Sequence, residues 1–110
     1  MNPQPFSLVY LDKENDLNKV LKAQKKSGEQ IRILFTSLWD KNSQKLLKKL
    51  DRVYSVDGSG APIYVANSFT MPHAFVIFKT SIIPHLITLG KNSIRSSDYL
   101  PNVYQELRVL

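Results

Sequence analysis

Residues 31–43 limit the fold of this chain more than any other stretch. Ile31-Arg32-Ile33-Leu34-Phe35 is a short apolar run rich in β-branched and aromatic residues, which reads as a central strand. Arg32 interrupts it, so its guanidinium must reach an edge or a partner. Thr36-Ser37-Leu38-Trp39 is a brief turn, and a helix begins at Asn42 or Ser43. Leu46, Leu47, Leu50, Val53 and Tyr54 then recur at helical spacing, while Lys45, Lys48, Lys49 and Arg52 take the other faces.

The flanking segments read in the same way. Residues 6–11 form a first strand after a Pro-containing start. Asn15 or Asp16 caps a helix over 16–26, with Leu17, Val20, Leu21 and Gln24 on one stripe, and Ser27-Gly28 stops it. Asp57-Gly58-Ser59-Gly60 is the strongest turn signal. Residues 62–69 favour a strand through Ile63, Tyr64 and Val65, with a helix as the alternative. Residues 73–78 read as a strand that pairs with 82–89 as a hairpin through 79–81. Residues 90–95 read as loop. Ser96, Ser97 or Asp98 caps a last helix with Pro101 in its first turn and Val103 and Leu107 on its apolar face. The order is β-α-β-α-β-β-β-α.

Composition bounds the chemistry. At 110 residues, the chain is expected to form one domain over 1–110. It has no cysteine, which removes disulfides, thiolate metal sites and thiol chemistry. The start of the chain lacks a charged leader region, and no apolar run reaches bilayer-spanning length, so a cytoplasmic protein with no membrane role is the expectation. The net charge of +6 is compatible with nucleic acid or an acidic protein surface. The lysines fall on two separate helices without interleaved aromatics, which favours solvated helix surfaces over a strand-stacking platform. His73 and His85 each follow a proline and would face one another if their strands paired, but no acidic or thiol ligands accompany them, so no metal and no cofactor is expected. Asp57-Gly58-Ser59-Gly60 lacks the Gly-Lys-Ser/Thr ending of a phosphate loop.

The element order resembles the thioredoxin-like fold: an α/β domain with a central mixed sheet of four to five strands flanked by about three helices. Phe35-Thr36-Ser37-Leu38-Trp39 resembles the family's Phe-Trp-Ala-x-Trp segment. Met71-Pro72-His73, ahead of an apolar run, resembles its Ile-Pro-Thr, in which the proline is cis. Leu89-Gly90 and the segment 96–110 resemble its last strand, glycine and final helix. Between Ser43 and Pro72 the chain runs about a dozen residues short of the family's length, which implies either a shortened second helix or, as the apolar spacing over 46–54 favours, that the helix before the cis-proline is missing.

Where the resemblance places Cys-x-x-Cys, this chain has Asp40-Lys41-Asn42-Ser43. Where it places a buried proton-accepting acid, this chain has Leu34. Disulfide exchange needs a thiolate and a resolving thiol, so disulfide oxidoreductase activity is not expected and no catalytic residue is assigned. Asp40 and Ser43 suit helix capping. The resemblance further implies that the face formed by the turn at 39–43 (Trp39, Asp40, Lys41, Ser43) and the loop at 71–73 (Met71, Pro72, His73) holds another protein or an extended peptide, Met71 offering backbone hydrogen bonds. The expected function is a redox-inactive binding or scaffolding module. The alternatives are a nucleic-acid-associated or ribonucleoprotein subunit using basic helix surfaces, and an enzyme with non-thiol chemistry around Asp40, Ser43 and His73.

Overall fold

A computed structural model describes residues 5–56, 58, 60–80 and 82–109. Its elements are β1 (Phe6–Tyr10), α1 (Glu14–Ser27), β2 (Ile31–Thr36), α2 (Lys41–Val53), β3 (Ala61–Asn67), α3 (Pro72–Ile77), β4 (His85–Leu89), β5 (Ile94–Ser97) and α4 (Leu100–Glu106). They build a five-stranded sheet in the order β1-β3-β2-β4-β5. β3 runs parallel to both β1 and β2, whereas β4 is antiparallel to β2 and to β5. Asp57 and Ser59 of the expected turn, Ser81 of the expected hairpin turn, and Leu110 lie outside the described residues.

Side-chain alternation along β2 divides the interior into two cores. Leu34 packs with Leu46, Leu50 and Tyr54 of the second helix segment and with Val103 and Leu107 at the chain's end. Ile31, Ile33 and Phe35 point the other way, toward Leu17 of α1 and Met71 and Ala74 at α3. α2 and α4 thus cover one face and α1 and α3 the other. Of the apolar spacings that predict α1 and α2, Leu17, Leu46, Leu50 and Tyr54 are buried, Val20, Leu21 and Leu47 pack at the core edges, and Val53 is exposed. Gly28 ends α1 in the left-handed region at φ 70°, its N–H donating to the Gln24 carbonyl at 2.8 Å. Arg32, the break in the apolar run, places its guanidinium 4.6 Å from the centre of the Phe6 ring.

Two helices start earlier than expected: Lys13, not Asn15 or Asp16, is the N-cap of α1, and α2 begins at Lys41 instead of Asn42 or Ser43. Four further expectations are corrected. Residues 73–78 form helix α3 instead of a hairpin strand: Ala74 is buried, and Phe75 and Phe78 pack on Phe35 while Val76 and Ile77 face solvent. That spacing is helical, and Pro72 occupies the first turn, where its missing N–H costs nothing. The helix thought to be missing is therefore present. Second, the cis-proline is Pro84, after Ile83. It stands twelve positions beyond Pro72, which accounts for the apparent shortfall in length. Third, residues 94–97, read as loop and cap, form the edge strand β5. Fourth, Tyr99 is the N-cap of α4, in place of Ser96, Ser97 or Asp98.

Candidate functional site

The ends of β2 and β3 and the start of β4 meet at one end of the sheet. The Ser68 N–H donates to the Thr36 carbonyl at 2.9 Å, which ties the β3–α3 loop to the end of β2. Phe35 pairs with His85, so the segment leading into β4, with the cis Ile83–Pro84 bond, adjoins the end of β2.

Between β2 and α2 the chain is held by its own hydrogen bonds. The Asp40 carboxylate accepts from the Ser43 N–H at 2.8 Å. The Ser43 hydroxyl accepts from the Ser37 N–H at 3.2 Å, and the Ser37 hydroxyl accepts from the Trp39 N–H at 3.3 Å. Gln44 donates its side-chain amide to the Leu38 carbonyl. Asp40 is the N-cap that a helix beginning at Lys41 requires, and Ser43 is fully buried inside the same network. Asp40→Ala should lower stability by about 1 kcal/mol, with Asp40→Asn recovering most of it, as read from urea unfolding midpoints; equal midpoints for wild type and Asp40→Ala would remove the cap from the account.

This bonded turn presents apolar surface to water. Trp39 is 81% exposed and Leu38 54%; Phe69 on the β3–α3 loop is 70% exposed and Ile82 ahead of the cis-proline 56%. Beside Leu38 a recess of about 160 Å³ is lined by Tyr10, Thr36, Leu47, Asn67 and Thr70 among others. The Tyr10 hydroxyl, at its rim, donates to Asp51 at 2.8 Å. Burial, then that hydrogen bond and the Asp51 charge, push the Tyr10 phenol well above its ordinary value.

Of the residues singled out in the sequence, Trp39, Asp40 and Lys41 lie together at this end, with Ser43 buried beneath them. The loop at 71–73 does not join them as expected. Met71 is fully buried in the core under α1 and α3. Pro72 and His73 are exposed, but the His73 N–H donates to Glu14, which follows β1, so they sit toward the β1 edge. Phe69, Ile82 and Ile83 belong instead to the loops after β3 and before β4 at this end of the sheet. The two histidines do not face one another, because His73 is on α3 and His85 on β4. Among the described residues no group of His, Cys, Asp and Glu is arranged to hold a metal.

His85 is a second partly buried titratable group next to this end. Both ring nitrogens are buried without a hydrogen-bond partner among the described residues. Burial lowers its pKa below the ordinary 6.5, with Asp98 pulling weakly the other way. The folded state therefore binds this proton less readily than the unfolded chain. Its contribution to stability is full above pH 6.5 and declines as the pH falls below it. Urea midpoints should drop between pH 7 and pH 5, and His85→Leu should flatten part of that drop; an unchanged slope in His85→Leu would contradict the assignment.

A surface recess of about 620 Å³ lies against the outer side of α1 and is lined by Lys19, Lys22, Lys25 and Lys26. It is a solvated lysine surface remote from Trp39. The lysines of α2 lie across the sheet from it, so the positive charge is divided between two faces. No helix among the described residues is long and apolar enough to cross a membrane.

No protein-family model matches this sequence, and no well-characterised protein matches it by sequence. Solved structures do match in three dimensions. A thioredoxin of Malassezia sympodialis superimposes with a TM-score of 0.68 at 6% identity, over 98% of this chain and 93% of that one. Thioredoxin O2 of Arabidopsis thaliana gives 0.67 at 17% identity, over 92% and 94%. A Schistosoma mansoni thioredoxin pre-protein gives 0.66 at 16% identity, over 93% and 96%. With this sheet order, the helices on both faces and no cysteine, the protein has a thioredoxin-like fold without the Cys-x-x-Cys motif.

Proposed function

We propose that the Trp39 end of the sheet is a protein-contact surface that captures an extended segment of another protein, with no redox chemistry. The observation that carries this reading is the exposed set Leu38, Trp39, Phe69 and Ile82, on three loops at one end of the sheet. Exposed apolar clusters of this kind mark interaction sites. A tryptophan on a turn fixed by its own hydrogen bonds loses little freedom on binding, which favours affinity. Ile83, next to the cis-proline, takes the backbone-pairing role first assigned to Met71. Lys41, in the first turn of α2, stands against the helix dipole and gains from an acidic group on the captured segment. With no thiol on the chain, bound segments are held and not exchanged.

Affinity capture with the wild-type chain and with Trp39→Ala and Phe69→Ala tests this. Both variants remove surface side chains, so their melting temperatures should stay close to wild type while capture of the wild-type partner falls about tenfold or more, as for a central aromatic anchor. Undiminished capture by both variants would place the contact elsewhere.

A further inference from the structure

The opposite end of the sheet carries a second arrangement. Leu8, Ile63, Arg32, Thr88 and Arg95 stand in one row across the five strands. Residues directly opposed in neighbouring strands share a face. The row is apolar under α2 and becomes basic from β2 outward. Arg108, just past α4, reaches the same place: its guanidinium lies 5.9 Å from the Phe6 ring centre, over which Arg32 also stacks at 4.6 Å. Two guanidinium groups thus share one ring, with Arg95 two strands from the Arg32 backbone. Glu106 is the carboxylate whose charge acts on Arg32. Burial lowers the Arg32 pKa; Glu106 opposes that, and Arg95 and Arg108 add to it.

The backbone at Arg108 makes the arrangement more telling. The Arg108 N–H donates to the Gln105 carbonyl and the Val109 N–H to the Tyr104 carbonyl, the pattern of a helix closed by a left-handed residue. Arg108 is that residue, at φ 56°. The position favours glycine, because a Cβ there is strained. An arginine has been placed where local conformation disfavours it, and its side chain goes to a cluster of like charge.

We propose that Arg32, Arg95 and Arg108 form a binding site for a phosphate-type dianion. Three guanidinium groups against one carboxylate leave an excess that a dianion neutralises, and the planar fork of arginine matches phosphate oxygens. The site lies at the start of β2, whereas Trp39 lies past its end, so it is independent of the protein-contact surface.

The test is a titration of the full chain, labelled at its backbone amides, with inorganic phosphate and separately with phenyl phosphate, against chloride at matched ionic strength. Saturable shifts at Thr88, Arg95 and Arg108 are expected with at least one probe. Tighter inorganic phosphate points to a free dianion, and tighter phenyl phosphate to a phosphate monoester. Arg108→Gly should melt no lower than wild type, because it relieves the left-handed strain, yet bind about tenfold more weakly, as expected for loss of one charged hydrogen-bonding group. Arg95→Gln, at the exposed edge, should weaken binding likewise. Shifts that merely follow ionic strength or gather on Lys19, Lys22, Lys25 and Lys26 would overturn the site. So would wild-type binding by both variants, which would leave the arginines as a cover for Phe6.

Discussion

Leu34→Asp should cost about 4–6 kcal/mol at neutral pH, enough to unfold much of a domain whose total stability is of order 10 kcal/mol. Leu34 is fully buried among Leu46, Leu50 and Leu86. The resemblance to thioredoxins sets a proton-accepting acid at this position, so the substitution asks whether the surroundings can still hold one. They offer only apolar neighbours, and a carboxylate left there has no partner. Burial would raise the folded-state pKa of the new group above its unfolded value of about 3.9. The folded protein then binds the proton more tightly than the unfolded chain does. Stability relative to wild type is best below that unfolded value and is lost as the pH rises through the folded pKa, by about 1.4 kcal/mol per unit. Leu34→Asn removes the same apolar group without a titration, so the two variants should differ little near pH 4 and diverge toward pH 7. Urea unfolding at both pH values measures this. Parallel curves for Asp and Asn would mean that the site accommodates a charge.

Phe35→Ala, one residue further along the strand, should cost about 3–5 kcal/mol through the other core. The Phe35 ring packs edge-on against Phe75 with centroids 4.9 Å apart and tilted against Phe78 at 5.4 Å. Both partners come from the α3 segment, so this ring, with Met71 and Ala74, helps fix α3 to the sheet. Its removal leaves a cavity between two elements that cannot collapse without moving α3. The loss should therefore include early exchange of α3 amides, ahead of those of β2 and β3. Phe35→Leu fills most of the volume and should recover more than half of the stability. Uniform loss of protection across the sheet would show that α3 is held by other means.

The strength of each local signal decided how much of this was legible in the sequence. α2 was readable because Leu46, Leu50 and Tyr54 fall on one helical face and are all buried. α3 was misread because Ala74-Phe75-Val76-Ile77-Phe78 is a short, wholly apolar run, for which periodicity cannot separate strand from helix. Its burial pattern, and Pro72 at the helix start, supply the missing distinction. The misreading moved the cis-proline to Pro72, since two Pro-His pairs were available, and so drew Met71 and His73 into the site. β5 went unseen because Ile94-Arg95-Ser96-Ser97 is a polar edge strand with little to bury. Trp39 and the Asp40 cap were legible because they are local. Phe69 and Ile82 were not, because only the sheet order brings their loops to the same end as Trp39.

Trp39 is the only tryptophan in the chain, so its emission reports on the proposed surface alone. The most direct measurement is tryptophan fluorescence and acrylamide quenching of the protein, free and in complex with a tryptophan-free segment of a captured partner. The free protein should emit at long wavelength and quench readily, as its exposure requires. Binding should shift the emission to shorter wavelength and protect it from acrylamide. A stoichiometric complex in which emission and quenching stay those of the free protein would contradict the claim that this end of the sheet is the contact surface.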